Sequence, residues 1–138
     1  RELKFEQGFV SPAPRDFVGF GPLTEPESLG IYNFTLERNF KLILAYHTQG
    51  EIIFWRYLDF EPPGAEAVAN EFARVSGYTL INDVEIDSYA GYRDWFISFY
   101  NRPGYTVETG LGVNPLPISQ FDKIYNSNIG LLILASVV

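Results

Sequence analysis

Three short apolar runs along the chain have the length of buried strands. Residues 40–46 read Phe-Lys-Leu-Ile-Leu-Ala-Tyr, residues 51–57 are rich in isoleucine and aromatic side chains, and residues 104–108 read Gly-Tyr-Thr-Val-Glu. Nearly continuous apolar runs of this length are typical of strands that are covered on both faces. Residues 78–89 combine a strand-like start with an acidic, loop-like end, and we predict a mixed segment there.

Four further segments carry apolar residues at helical spacing, and we predict helices at residues 25–38, from Pro62 to Gly77, at 89–100 and at 118–138. Thr24 and Glu27 have the spacing of a capping box before the first of these helices. Pro62 and Pro63 favour the start of the second helix, and Gly77 supplies a left-handed stop at its end. Strands that alternate with helices indicate an α/β sheet with both faces covered.

Charge and composition exclude some classes of function. The chain of 138 residues is 46% hydrophobic and 17% aromatic, which is ordinary for a globular unit with a core. Its formal net charge of −7 argues against a surface that binds nucleic acid, because such surfaces need clustered lysine and arginine. No uninterrupted apolar run, that at residues 131–135 included, exceeds five residues, which is far shorter than the roughly 20 residues that span a membrane.

Two residue types that often carry information are missing from the sequence. Cysteine is absent, so the chain has no disulfide framework, thiolate nucleophile or sulfur-ligated metal, and the compartment stays open. The chain begins with Arg1 and contains no methionine, from which we expect a piece of a longer protein.

Two polar residues close predicted strands at positions suited to chemistry. His47, the only histidine of the chain, follows the first strand, and Glu108 closes the third. Ligands of open α/β sheets gather at the carboxyl ends of strands. Considered alone, however, a single histidine is more often a packed or capping residue than a ligand, and the same holds for Glu108.

Three motifs, which follow one another along the chain, favour functional roles for His47 and Glu108 over packing or capping. They are Leu-Ala-Tyr-His-Thr-Gln-Gly at 44–50, Gly-Tyr-Arg-Asp-Trp at 91–95 and Tyr-Thr-Val-Glu-Thr-Gly at 105–110. Together they resemble the zinc carboxypeptidase A family. Segments 11–16 and 114–117 resemble its bacterial branch, which acts on γ-D-glutamyl-diaminopimelate bonds of peptidoglycan. The resemblance implies the C-terminal part of a mixed-sheet, phosphorylase/hydrolase-type, three-layer α/β/α domain.

The resemblance also implies roles for individual residues. His47, followed by the small hydroxyl residue Thr48, matches the last of three zinc ligands, and Glu108 matches the general base that takes a proton from zinc-activated water. Asp94 matches the segment that shapes the pocket for the substrate's terminal residue. Arg93 would face that pocket and favour an anion such as the second carboxylate of diaminopimelate, the alternative being a solvent-exposed arginine on a helix.

The family also covers bound substrate with a mobile tyrosine, and Ile86 occupies the usual position here. Tyr89 is our first candidate for that role and Tyr92 the second, the alternative being that both are packing aromatics.

The sequence departs from the family in its missing motifs. It contains no His-x-x-Glu, which supplies the first two zinc ligands, and upstream of His47 it has no match to the Asn-Arg pair that holds the substrate carboxylate. We therefore expect that the chain alone does not bind zinc tightly or hydrolyse peptides, and that the activity belongs to the longer parent.

Two other functions stay open at this point: a carboxypeptidase that trims ordinary peptides, and a non-catalytic module that binds peptidoglycan peptides. An incomplete α/β domain should also uncover apolar surface, so a homodimer or larger assembly is expected.

Overall fold

The computed structural model describes residues 8–14, 17–82 and 91–138. Its elements, in chain order, are helix α1 (Pro26–Arg38), strand β1 (Ile43–His47), strand β2 (Ile52–Phe54), helix α2 (Ala65–Ser76), strand β3 (Thr79–Ile81), helix α3 (Tyr92–Tyr100), strand β4 (Gly104–Glu108), a 3-10 turn (Ile118–Gln120) and helix α4 (Phe121–Ala135). The described residues form two compact units, which divide after Lys41, with Gly91 in the first unit and the sheet in the second.

The first unit contains α1, which begins differently from the prediction. Pro26 occupies the first turn, where its missing N–H costs nothing, and Glu25 is the N-cap without a side-chain cap bond. The predicted capping box is wrong, because the Thr24 hydroxyl instead donates to the Gly21 carbonyl at 3.3 Å. The helix ends at Asn39, whose left-handed conformation is one that asparagine tolerates.

The second unit is built on a mixed four-stranded sheet with the order β1-β4-β2-β3. β1 and β4 are parallel, β2 is antiparallel to β4, and β2 and β3 are parallel. The register is short but continuous: Ile43 lies opposite Gly104, and Ile52 lies opposite Glu108. The predicted α/β class with a mixed sheet is confirmed.

Helices cover both faces of this sheet, which gives three layers. On one face, a Cβ added at Gly104 would lie 3.2 Å from the Ile97 side chain of α3, so the helix packs directly on the strand. On the other face, the Tyr105 ring meets Phe72 of α2 edge-on at 4.9 Å. Leu131 of α4 is fully buried in the same cluster. Because successive side chains of β4 point to opposite faces of the sheet, they pack alternately against the two helix layers.

The apolar stripe predicted for α2 is confirmed. Ala65, Ala69 and Phe72 are fully buried, as the helical period requires. Gly77 adopts a left-handed conformation with φ of 76° and donates its N–H to the Ala73 carbonyl at 2.9 Å. This is the predicted glycine stop.

Several predicted boundaries are wrong by a few residues. β1 begins at Ile43 rather than at residue 40, because pairing with β4 starts only at the Ile43 N–H, which donates to the Pro103 carbonyl. β2 ends at Phe54, after which Trp55 turns inward and donates its indole N–H to the Asn82 side chain. None of the helices in the described part of the chain is long and apolar enough to cross a bilayer.

Candidate active site at the ends of strands β1 and β4

The candidate site lies where two parallel strands end side by side. In the register of β1 and β4, His47 lies opposite Glu108. In-register residues of neighbouring strands project to the same face, so both side chains leave the sheet in one direction. The two residues singled out in the sequence are thus brought together although 60 residues separate them along the chain.

The Glu108 carboxyl is partly withdrawn from water. Burial raises its pKa, and the electrostatic influence of His47 opposes that rise. Its Oε2 atom is buried and has no hydrogen-bond partner within the described residues. A carboxyl group that is destabilised as an anion and unpaired can exchange a proton, which is the property of a general acid or base.

The backbone next to these two residues is connected by hydrogen bonds that the sequence did not reveal. The His47 carbonyl accepts from both the N–H and the hydroxyl of Thr109, at 2.9 and 3.1 Å. Gly50 donates its N–H to the Gly110 carbonyl at 2.7 Å. The turn after His47 is therefore fixed against the turn after Glu108.

Thr48 lies in the first of these turns and is exposed. Its carbonyl accepts from the Asn114 side chain at 3.2 Å, which adds a second connection between the two turns. Asn114 and Thr109 are residues that sequence reasoning missed, because a hydrogen bond between distant loops leaves no periodic signal.

Arg93 and Asp94 form a buried ion pair in the first turn of α3. Nε and Nη2 of Arg93 both contact Oδ1 of Asp94, at 3.0 and 2.6 Å, and the two residues are 6% and 3% exposed. The alternative of a solvent-exposed arginine is therefore wrong. The guanidinium also lies 5.4 Å from the centre of the Phe54 ring.

Phe54 connects Arg93 to the face of the sheet that carries the site. It lies opposite Thr106, two residues before Glu108 on the same side of β4. Phe54 and Thr106 are both half-buried. Sequence reasoning missed both, although the period of two that places Thr106 beneath Glu108 was available.

Of the two candidate tyrosines, the structure describes only Tyr92. Tyr92 is half-buried, and its ring stacks at 6.1 Å on Trp95 within α3. Tyr89 lies outside the described residues, as does Ile86.

The metal-binding capacity of the described residues is limited. No group of three or more His, Cys, Asp or Glu side chains that could hold a metal ion occurs in residues 8–14, 17–82 and 91–138. His47 offers a single imidazole at the sheet edge.

Comparison with solved structures defines the class of fold. The structure of carboxypeptidase A from Helicoverpa armigera matches with a TM-score of 0.61, over 88% of this chain and 37% of that chain, at 18% identity. The second unit, with its mixed sheet between helix layers, accords with that match. The chain therefore has the fold of a part of carboxypeptidase A.

Two curated proteins are similar to this chain in sequence. Gamma-D-glutamyl-L-diamino acid endopeptidase 1 from Lysinibacillus sphaericus is 48% identical over 132 residues, 96% of this chain and 33% of that protein. The uncharacterized protein YqgT of Bacillus subtilis (strain 168) is 51% identical over 123 residues, 89% of this chain and 33% of that protein. No family model matches the chain.

These matches confirm the predicted resemblance: the chain is similar in sequence to a gamma-D-glutamyl-L-diamino acid endopeptidase and in fold to a carboxypeptidase A. The chain spans about a third of the length of the curated relatives it matches.

Proposed function

We propose that this chain is the C-terminal portion of the catalytic domain of a zinc peptidase that hydrolyses γ-D-glutamyl-diaminopimelate bonds in peptidoglycan peptides. The observation that carries the proposal is the register of β1 and β4, which sets His47 beside Glu108 at the C-terminal ends of the two strands. The name of the Lysinibacillus sphaericus relative supports the choice of substrate.

The residues at this edge fit part of a catalytic zinc site. Neutral imidazole is a good zinc ligand, and His47 would provide it. The unpaired Oε2 of Glu108 suits a carboxylate that faces a water molecule rather than a permanent cation. A catalytic zinc of this class has three protein ligands, so two must come from elsewhere in the longer protein. When bound, zinc would polarise the scissile carbonyl and lower the pKa of water.

Glu108 would move the proton in this reaction. Its carboxylate takes a proton from the attacking water and delivers it to the leaving amine, so one group serves as base and then as acid. Burial raises the pKa of Glu108 and so favours the protonated intermediate stage of that cycle. The hydrogen bonds from Thr109 to the His47 carbonyl would keep Glu108 aligned with the ligand.

Arg93 would select the substrate. Asp94 engages its Nε and Nη2, whereas Nη1 forms no hydrogen bond within the described part of the chain. That nitrogen can pair with the second carboxylate of diaminopimelate, in a setting dry enough to strengthen the contact. Thr48, in the exposed turn after His47, would contact the substrate, and Tyr92 or Tyr89 would cover it.

The experiment uses the zinc-loaded longer protein and two peptides, one ending in diaminopimelate and one with lysine in its place, which lacks the second carboxylate. We expect Glu108→Gln to lower kcat for both peptides by a factor of about 10² to 10⁴, the usual contribution of a general base. Arg93→Gln should raise KM for the diaminopimelate peptide alone. Unchanged activity in Glu108→Gln would refute the catalytic proposal.

An ordinary peptide with a C-terminal glutamate serves as the second comparison. Faster release of glutamate than of diaminopimelate would indicate a carboxypeptidase for ordinary peptides. Binding of the diaminopimelate peptide without hydrolysis would indicate a non-catalytic module.

A further inference from the structure

Gln120 makes a contact with the backbone that is unusual for a side chain at the start of a helix. It lies at the end of the 3-10 turn that leads into α4. Its Oε1 accepts the Leu111 N–H at 3.0 Å, and its Nε2 donates to the Leu111 carbonyl at 2.7 Å. The amide thus satisfies both backbone groups of one residue, as a neighbouring strand would.

Leu111 belongs to the turn that follows Glu108. In that turn, Gly110 has φ of +71°, and its carbonyl accepts the Gly50 N–H at 2.7 Å. A Cβ at Gly110 would lie 3.0 Å from Oε1 of Gln120, so the amide occupies the space directly against the turn. Holding Leu111 therefore also fixes the residue that contacts the turn after His47.

We propose that Gln120 is a positioning residue for Glu108, and that its two hydrogen bonds to Leu111 hold the turn after Glu108 so that the carboxyl group stays aligned with His47. This inference rests on the function proposed above. Gln120 does not contact substrate in this account, and its effect is transmitted through the Leu111 and Gly110 backbone.

Three features of the structure support this assignment. The connection spans nine residues, so it ties α4 to the turn rather than stabilising a local bend. The Asn114 side chain, three residues further along the same loop, donates to the Thr48 carbonyl at 3.2 Å and so ties that loop to the turn after His47. Glu108 itself has an unpaired, buried Oε2, so its placement depends on the backbone around it rather than on a side-chain partner within the described residues.

The test uses Gln120→Ala in the full-length, zinc-loaded protein. We expect kcat to fall on the order of tenfold with KM little changed, because a small misplacement of a catalytic group lowers the rate of the chemical step more than it weakens binding. Gln120→Glu keeps the acceptor for the Leu111 N–H and loses the donor, so it should recover part of the rate. Faster hydrogen exchange at the Leu111 amide in Gln120→Ala would show that the contact exists in solution.

Asn70→Ala is the matched control. Its side-chain amide also donates to a backbone carbonyl, that of Glu66 at 2.9 Å, on an exposed face of α2. Asn70→Ala should leave kcat unchanged, which separates positioning from a general loss of stability.

A double-mutant cycle with Glu108→Gln separates this inference from the proposed function. If Gln120 acts through Glu108, then Gln120→Ala should lower kcat no further in the Glu108→Gln background. Loss of activity in Glu108→Gln with full kcat in Gln120→Ala would overturn the positioning role alone. Full activity in Glu108→Gln would overturn the proposed function itself.

Discussion

Glu108 is the residue at which stability and chemistry conflict. Its carboxyl group lies at the C-terminal end of strand β4 and is partly buried, with one oxygen unpaired within the described residues. Such a group would normally be selected against in a fold, because an unsatisfied buried polar atom costs free energy. Its presence beside His47 is explained by the proposed proton transfer, which needs a carboxyl group that is not committed to an ion pair.

The first prediction follows from the pKa of Glu108. Because burial raises that pKa in the folded chain, the folded state binds this proton more tightly than the unfolded state. Its contribution to the free energy of unfolding is therefore greatest at low pH and is lost as pH rises through the raised pKa. We expect Glu108→Gln to stabilise the chain at pH 7 and to lose this advantage near pH 4.

Urea unfolding of both proteins between pH 4 and pH 8 measures the difference. Glu66→Gln is the control, since Glu66 is exposed in the first turn of α2, where negative charge is favourable. That substitution should slightly destabilise the chain at pH 7. A Glu108→Gln variant less stable than the wild type at pH 7 would contradict the account.

Gly110 gives the second prediction. At φ of +71°, an alanine is strained, and its Cβ would lie 2.5 Å from Leu116 and 2.9 Å from Ile124. We expect Gly110→Ala to lower the free energy of unfolding by about 1–3 kcal/mol. Gly130→Ala in α4 is the matched control, because its Cβ would meet Val75 at an ordinary 3.6 Å.

The control should gain roughly 0.5–1 kcal/mol from helix propensity. Equal effects of the two substitutions in urea unfolding would show that the turn after Glu108 is not held as described.

At the scale of the site, the sequence pointed to His47 and Glu108 as candidates for chemistry, but it gave no sign of the residues that contact them through the backbone. His47 and Glu108 stand at the ends of apolar strands, so a strand prediction brings them into view. Thr109, Asn114 and Gln120 make hydrogen bonds to segments that are distant along the chain, and no periodicity marks such bonds. Their roles depend on three-dimensional distances that a pattern along the chain does not contain.

At the scale of elements, periodicity determined what could be predicted. β4 lies at its predicted residues and α2 has its predicted stripe, because the residues of both alternate or repeat against a buried neighbour. β1 and β2 are shorter than predicted, since strand length is set by the five-residue partner β4 rather than by local hydrophobicity. The capping box failed because Pro26 and Glu25 already start α1.

Tyr105 provides a prediction at this scale, because it joins two elements. Its ring packs on Phe72, and its hydroxyl donates to the Ala65 carbonyl at the start of α2 at 2.9 Å. Tyr105→Phe leaves that carbonyl buried without this donor, so we expect a loss of about 1–2 kcal/mol in thermal unfolding. Tyr125→Phe, on the exposed face of α4, should change stability by less than about 0.5 kcal/mol.

A Tyr105→Phe variant as stable as Tyr125→Phe would mean that the hydroxyl bond does not hold β4 to α2.

At the scale of the whole molecule, apolar side chains on the outer face of α4 remain exposed. Phe121, Tyr125 and Ile133 are 57%, 52% and 62% exposed. A face of this kind tends to associate. We expect the chain alone to form a dimer or larger assembly in sedimentation velocity, and Ile133→Glu to shift the distribution towards monomer. A monodisperse monomer of the unaltered chain would contradict this expectation.

His47 as a zinc ligand and Glu108 as a general base have different effects on metal binding, and zinc titration by calorimetry separates the two roles. In the longer protein we predict that one zinc binds per chain. His47→Ala should lower the zinc affinity more than about 100-fold, which is beyond the usual effect of an outer-shell partner. Glu108→Gln should leave the zinc affinity nearly unchanged. This chain alone should bind zinc weakly. Equal zinc affinity of His47→Ala and the unaltered longer protein would contradict the account.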